Sequence, residues 1–361
     1  MVSSQSFEAS KEDEAIVRAS IVRLKISFAD VKGQLYSILA ETADPSERAR
    51  IARVALKWGA LEIAYGLFQE LKLTDAYRPV ALKALEVENY SLAFRIFRDL
   101  QDEKGIRELI TPAINVGKFY PAIEALKFLG DIQGLVDLGY QCLEKDDINA
   151  AATAFEIARN AEGSRVAGLR AVDRGDFSIG IRALYQAKST ADLIKAGQIA
   201  IQRKNLVAAL DAFLAADHSR GIREVGELSL KIKNLTLAFK AYSRINDRKM
   251  LILVGQKLVE KGDYSLGFSA FYKAGSMADV INLGLVTLEK DDLDIALRAF
   301  KLANETEHLL AVGKRALEIG NYHIARAAFK LANDAEGVAT ADEMLKRSKA
   351  TKSAKTAKPQ K

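Results

Sequence analysis

Residues 160–187 read NAEGSRVAGLRAVDRGDFSIGIRALYQA, two amphipathic segments separated by a short polar turn. Apolar residues recur at helical spacing before and after the turn, which contains Gly175 and Asp176. Glycine tolerates the left-handed backbone that ends a helix, and aspartate accepts hydrogen bonds from the free amides that begin the next one. The stretch therefore predicts a helix, a tight turn and a second helix.

The same pattern recurs along the chain with a constant spacing of 29 residues, and in each copy a large apolar residue follows a small one by four places. The large residues are Phe68, Phe97, Leu126, Phe155, Leu184, Phe213, Tyr242, Phe271, Phe300 and Phe329, and the small ones are Ala64, Ala93, Ala122, Ala151, Gly180, Ala209, Ala238, Gly267, Ala296 and Ala325. A fixed period of this size is typical of stacked structural units that pack only on their neighbours. We therefore predict an all-α fold, an α-α superhelix (solenoid) of about ten two-helix repeats.

The two ends of the chain lack the repeat pattern. We predict a disordered N-terminus over residues 1–11, a helical cap over 12–45, the repeat array over 46–334, a capping helix over 335–348 and a disordered basic tail over 349–361. Caps are expected because a solenoid must cover its terminal apolar faces. Pro79 and Pro112 fall inside predicted helices, so the array is expected to be least regular between residues 76 and 121.

Charge and cysteine content constrain the class of protein. From Lys346 to Lys361 the chain reads KRSKATKSAKTAKPQK, and removing its seven basic residues from the total of 53 leaves 46 against 47 acidic ones, so the body is near neutral. The single cysteine, Cys142, occupies a small core-type repeat position and excludes an intrachain disulfide. The polar first fifteen residues and the short apolar runs predict a soluble, cytoplasmic protein without a membrane span.

Signatures of catalysis are missing from the sequence. The three histidines, His218, His308 and His323, occupy different repeat positions, and no Cys/His/Asp cluster has the spacing of metal ligands. The glycines follow the repeat period instead of grouping into a phosphate-binding loop. We therefore predict a protein that is not an enzyme and that has no cofactor or metal.

The repeat resembles the tetratricopeptide repeat, whose pattern places Leu-Gly in helix A and a small residue, an aromatic residue and an alanine in helix B. Leu138-Gly139, Ala151, Phe155 and Ala158 match that pattern, and the resemblance covers residues 46–334. The family period is about 34 residues, so the repeat here is shorter, and the difference lies between helix B and the next helix A. The mid-helix glycines (Gly139, Gly168, Gly197, Gly226, Gly255, Gly284 and Gly313) predict close approach of helix B, with its small residue facing the glycine.

The resemblance implies a concave groove that is lined by helix A and binds a protein or peptide. The family's contact positions lie three places before, one place after and five places after the helix A glycine. The two informative rows are the first, three places before, and the second, five places after. The partner-binding residues predicted in this way are Arg78, Arg107, Arg165, Arg223, Ile252, Ile281 and Leu310 in the first row and Glu260, Glu289 and Glu318 in the second. Aliphatic and acidic residues in the last repeats favour a peptide with apolar anchors and basic residues. A simpler interpretation is that both rows are solvated or paired within the chain.

Two other functions remain open at this point, and so does the role of the basic tail. An RNA-binding array is disfavoured because the body is near neutral and because Val136, Ile194 and Ile252 interrupt the arginine row. A structural array that assembles with itself is the third reading. The basic tail would make weak, nonspecific contact with nucleic acid, fold back into the groove, or act only as a solubilising or tethering segment.

Overall fold

The computed structural model describes residues 7–23 and 31–356, and within these ranges every regular element is helical. The α-helices are α1 Lys11–Arg23, α2 Val31–Ala40, α3 Pro45–Lys57, α4 Leu61–Glu70, α5 Tyr77–Glu86, α6 Tyr90–Asp99, α7 Glu103–Asn115, α8 Phe119–Phe128, α9 Ile132–Glu144, α10 Ile148–Ala158, α11 Ala161–Arg174, α12 Phe177–Gln186, α13 Thr190–Gln202, α14 Leu206–Ala215, α15 Ser219–Lys231, α16 Leu235–Arg244, α17 Arg248–Glu260, α18 Tyr264–Ala274, α19 Met277–Glu289, α20 Leu293–Ala303, α21 Thr306–Glu318, α22 Tyr322–Leu331 and α23 Ala335–Thr356. The predicted all-α fold is confirmed.

The helices belong to two compact units, Met1–Lys188 and Ser189–Lys361. The first unit contains α1 to α12 and the second contains α13 to α23. From α3 onwards the odd-numbered helices are helix A of a repeat, and the even-numbered ones are helix B. Within each unit a helix A packs on the helix B that follows it, and that helix B packs on the next helix A.

The 29-residue period is visible in the helix boundaries. From α7 to α23 each helix A begins 29 residues after the previous one, as Glu103, Ile132 and Ala161 illustrate. Asp131 caps α9 by accepting a hydrogen bond from the amide of Gly134 at 2.8 Å. The turn between helices A and B contains a left-handed residue, for example Gly175 with φ 97°. The predicted capping and turn positions therefore have the roles that their residue types suggest.

The irregular stretch is confined to the start of α5. A 3-10 turn, Thr74–Ala76, replaces the first turn of this helix, and Pro79 lies close enough to the helix start for its missing amide to cost little. Pro112 lies inside α7, which nevertheless continues to Asn115. The helix therefore tolerates the loss of the backbone hydrogen bond that Pro112 cannot donate.

The mid-helix glycines face an aromatic or leucine side chain of helix B. A Cβ atom added to Gly139 would lie 2.6 Å from Cε1 of Phe155, and one added to Gly284 would lie 2.7 Å from Cε1 of Phe300. The large side chain of helix B, and not its small residue, therefore fills the space beside the missing Cβ. The small residue lies against the backbone of the same glycine, as its predicted close approach requires, since a Cβ on Gly180 would meet the carbonyl oxygen of Gly168 at 3.0 Å.

A second set of glycines, in the first turn of helix A, contacts the same rings from the other side. A Cβ added to Gly221 would lie 2.5 Å from Cδ1 of Phe213, the ring that also faces Gly197. Gly163 has the same relation to Phe155. These rings are fully or almost fully buried, so each one joins its own repeat to the next.

Residues near both ends are more ordered than the sequence predicted. The disordered segment was expected over residues 1–11, but Phe7 and Ala9 pack on the core of the first unit, and α1 begins at Lys11. Helix α23 continues to Thr356, beyond the predicted cap boundary at residue 348. The remainder of the predicted tail, residues 357–361, and the start of the predicted N-terminal segment, residues 1–6, lie outside the described residues.

Candidate functional surfaces

The four predicted arginines of helix A have carboxylate partners within the chain. Arg78 forms an ion pair with Asp102, and Arg223 forms the equivalent pair with Asp247. Both aspartates also cap the next helix A, so each pair links two neighbouring repeats.

The other two arginines pair within their own helices. Arg107 lies 3.9 Å from Glu103, and Arg165 lies 3.8 Å from Glu162. These are solvated i,i+4 and i,i+3 pairs, which contribute only a few tenths of a kcal/mol. The arginine row is thus neutralised locally.

The aliphatic and acidic residues of the last repeats differ in exposure. Ile252, Ile281 and Leu310 are half-buried and pack on the core of the second unit. Glu260 and Glu289 are exposed, and neither has an ion-pair partner among the described residues. Glu318 is exposed and pairs with Arg315 at 2.8 Å. The carboxylates of Glu260 and Glu289 are therefore exposed and unpaired, whereas the aliphatic row packs largely on the core.

Sequence reasoning overlooked apolar residues that are more exposed on helix A. Leu82 and Leu285 lie one place after the glycine position of their repeats, and 41% and 37% of their surface is exposed. Leu253 is 37% exposed and lies seven places before Glu260, on the same side of α17. The signal was present in the sequence, since one of the family's contact rows lies at the position of Leu82 and Leu285.

Part of the helix A face is occupied by the chain itself. Residues 7–10 have no regular structure and lie beside α3 and α5, where Glu8 and Ala9 share a concavity of about 540 Å³ with Leu82, Glu86 and Pro79. Phe7 anchors this segment, because its ring contacts Phe68 edge-on with a centroid separation of 6.3 Å.

Asp13 holds the segment and the start of α1 in place. Its carboxylate accepts hydrogen bonds at 3.1 Å from Arg50 and from Arg53, both on α3. It also forms a reciprocal capping pair with Ser10. The hydrogen bond from Arg53 lowers the pKa of Asp13 to about 2.

Two of the histidines and the single cysteine have structural surroundings in the described part of the chain. The described residues contain no group of His, Cys, Asp and Glu that could hold a metal ion. His218 caps α15 through Nδ1, and His308 stacks on Phe300 with a centroid distance of 4.7 Å. Burial raises the pKa of Cys142 to about 12, so this thiol is not ionised at neutral pH. Within the described ranges, no helix has both the length and the apolar character needed to cross a bilayer.

Comparison with known proteins gives only distant structural likenesses. No family model and no curated protein matches the chain. Among solved structures, the TPR domain of P58(IPK) is 16% identical with a TM-score of 0.25, covering 85% of this chain and 99% of that one. The APC/C hetero-tetramer Cut9-Hcn1 is 12% identical with a TM-score of 0.18, covering 94% and 96%. A circular tandem repeat protein is 18% identical with a TM-score of 0.11, covering 93% and 72%. We infer neither overall shape nor function from similarities at this level.

The class of the protein follows from its own helix pairs. Glycines in helix A face aromatic or leucine side chains of helix B, and this arrangement repeats every 29 residues in both units. The chain is therefore an all-α repeat protein built from tetratricopeptide-like helix pairs, with a shortened period.

Proposed function

We propose that the protein is a non-enzymatic scaffold that binds extended segments of partner proteins on the helix A face of its repeats. Residues 7–10 support this proposal most directly, because this segment, which has no regular structure, lies on the helix A face of α3 and α5. Phe7 and Ala9 supply apolar anchors, and Leu82 contributes apolar surface on the receiving side. The partner in the early repeats is thus a peptide with an aromatic residue followed closely by a small one.

The helix A face of the last repeats has a different chemistry. Exposed Leu253 and Leu285 lie near the unpaired carboxylates of Glu260 and Glu289 on the same helices. This combination suits a peptide that has apolar anchors and lysine or arginine. Charge reversal of Glu260, Glu289 and Glu318 to Lys should weaken the binding of such a peptide, and unchanged affinity would contradict this part of the proposal.

The proposal for the early repeats is tested with the chain's own N-terminal sequence. A labelled peptide with the sequence of residues 1–12 is titrated into the full-length Phe7→Ala protein and into the wild type, with binding followed by fluorescence anisotropy. Burying a phenylalanine contributes about 1.5–3 kcal/mol, or roughly tenfold or more in affinity. We expect the peptide to bind Phe7→Ala at least about tenfold more tightly, because the anchor site is vacated.

Two controls separate this site from nonspecific binding. The same peptide with alanine in place of phenylalanine should lose the added affinity, and Leu82→Lys in the Phe7→Ala protein should abolish it. Equal binding of both peptides, or equal binding by wild type and Phe7→Ala, would contradict the proposal. We also propose a cytoplasmic location, which the single buried thiol of Cys142 supports.

A further inference from the structure

The helix B face of the second unit contains a cluster of basic side chains that the proposed function does not use. We call it the basic B face and define it by Lys240 and Arg244 of α16, Lys273 of α18, and Arg298 and Lys301 of α20. All five are exposed, and none has an ion-pair partner among the described residues. Asp211 of α14 lines one of its concavities, and Asp294 lies one turn before Arg298 on α20. The charge of Lys240 opposes the rise that burial causes in the pKa of Asp211.

The first unit neutralises the cations on its own helix B face. Arg98 lies 3.3 Å from Asp99, and Lys127 lies 3.8 Å from Glu124. Arg95 forms an ion pair with Glu62. The basic B face therefore lacks the carboxylate partners that these cations have in the first unit.

Basic residues stand in the second unit at the repeat positions that carry these carboxylates in the first unit. The position of Asp99 corresponds to Arg244 and Lys273, and the position of Glu124 corresponds to Lys240. Like charges gathered on neighbouring helices repel one another, so the fold gains nothing from this arrangement. An anionic partner would relieve the repulsion.

The floor of the basic B face is apolar and aromatic. One concavity of about 650 Å³ is lined by Phe239, Phe268, Tyr272 and Leu302 together with the basic residues. It shares Phe239 and Lys273 with a second concavity of about 710 Å³, which reaches Leu210 and Leu214. Tyr272 is 60% exposed, and its ring stacks on that of Phe268 with a centroid distance of 6.4 Å.

We propose that the basic B face binds an acidic peptide segment of a partner protein that carries at least one large apolar side chain. The five unpaired cations complement carboxylates, and the concavities between α16, α18 and α20 accept the apolar side chain. This surface lies on helix B, so its occupation does not depend on the helix A site described above.

The aromatic geometry favours a peptide over single-stranded nucleic acid. Successive bases need several free ring faces on which to stack. Here the guanidinium carbon of Arg298 lies 4.7 Å above the ring of Phe268, Phe268 is buried, and Phe239 is half-buried. Tyr272 is the one well-exposed ring in this cluster, whereas apolar pockets are what an aliphatic or aromatic peptide side chain requires.

The experiment compares matched charge reversals in the full-length protein. The probe is a labelled glutamate-rich peptide that contains one leucine and one phenylalanine, and the second probe is the same peptide with serine at both apolar positions. Lys273→Glu/Arg298→Glu is tested against Lys127→Glu/Arg182→Glu, which changes the charge equally on helix B of the first unit. Arg182 occupies the same repeat position there as Arg298 does in the second unit. A single-stranded oligonucleotide of equal charge is the third probe.

We expect Lys273→Glu/Arg298→Glu to weaken binding of the apolar-containing peptide by about tenfold or more, while Lys127→Glu/Arg182→Glu leaves its affinity unchanged. Tyr272→Ala should reduce the advantage of the apolar-containing peptide over the serine peptide. All variants keep the basic tail, so binding through the tail is common to them. Equal losses in both charge-reversal variants, or equal affinity for the two peptides, would overturn the proposal. A loss of affinity for the oligonucleotide alone would assign the surface to nucleic acid and would also overturn the proposal.

Discussion

Arg182 in the first unit and Arg298 in the second occupy the same repeat position, but their surroundings are opposite. Arg182 lies 3.8 Å from the carboxylate of Glu156. Four repeats later, Tyr272 stands where Glu156 stood, and Arg298 lies over an aromatic ring. The interior of the two units, by contrast, is the same, with a buried ring against a glycine in each repeat that contains both. The interior positions therefore specify the fold, and the exposed positions are free to differ in function.

The largest effect is expected from removing an interior ring in either unit. Phe155→Ala and Phe300→Ala should each cost about 3–5 kcal/mol, since both rings are fully buried. Denaturant unfolding of the two variants measures the loss. The comparison predicts similar costs, and a cost in one unit less than half that in the other would show that the interiors are not equivalent.

Smaller losses are expected from adding one methyl group to the glycine positions. Gly139→Ala and Gly284→Ala should each destabilise the protein by about 1–3 kcal/mol, because the new Cβ overlaps the ring of Phe155 or Phe300. Gly66 is the matched control, since it lies in α4 with open space around it, and Gly66→Ala should stabilise by up to about 1 kcal/mol. If thermal unfolding shows stabilisation by all three changes, close packing is not the reason for the glycines.

The docked N-terminal helix distinguishes the first unit and should respond to acid. Because the folded pKa of Asp13 is lowered to about 2, its contribution is present above the ordinary value of 3.8 and is lost as pH falls from 3.8 towards 2. Trp58, the only tryptophan, reports docking because Arg18 of α1 lies 5.1 Å from its ring centroid.

Fluorescence of Trp58 should therefore change in that pH window. Asp13→Asn should make the free energy of docking of α1 less favourable by about 1–3 kcal/mol. Lys57 also lowers the pKa of Glu14, so Glu14→Gln identifies any share of the response that belongs to Glu14. A response in Asp13→Asn identical to that of wild type would remove Asp13 from this role.

The smallest effect separates the two helix B faces by stability alone. Arg182→Glu replaces an attraction to Glu156 with a repulsion and should destabilise by up to about 1 kcal/mol. Arg298→Glu places a negative charge among unpaired cations and should stay within about 0.5 kcal/mol of wild type. Thermal unfolding at low salt resolves the difference, and added salt should shrink it. Equal destabilisation would mean that the contact of Arg298 with the ring of Phe268 stabilises the fold as much as the pair of Arg182 and Glu156 does.

Sequence reasoning predicted the helices because local patterns and the period determine them. The capping role of Asp131 and the left-handed turn at Gly175 follow from residue type alone. The partners of Arg78 and Arg223 could not be predicted in the same way. Each pairs with an aspartate 24 residues further along the chain, so the contact exists only once neighbouring repeats have packed.

The N-terminal segment was mispredicted for a related reason. Its composition is polar, and among its described residues Phe7 and Ala9 make apolar contacts with the core. Those contacts need the surface formed by α3 to α5, which no local pattern in residues 7–10 reveals. The basic B face was not predicted, although the period shows that Arg244 and Lys273 occupy the repeat position of Asp99.

The most direct test of two independent surfaces uses both probes on one protein. In the full-length Phe7→Ala background, the affinities for the N-terminal peptide and for the acidic, apolar-containing peptide are measured with Leu82→Lys and with Lys273→Glu/Arg298→Glu. We predict that Leu82→Lys lowers the affinity only for the N-terminal peptide and that the charge reversal lowers the affinity only for the acidic peptide. A variant that weakens both peptides equally would contradict the claim that exposed repeat positions in the two units define separate binding sites.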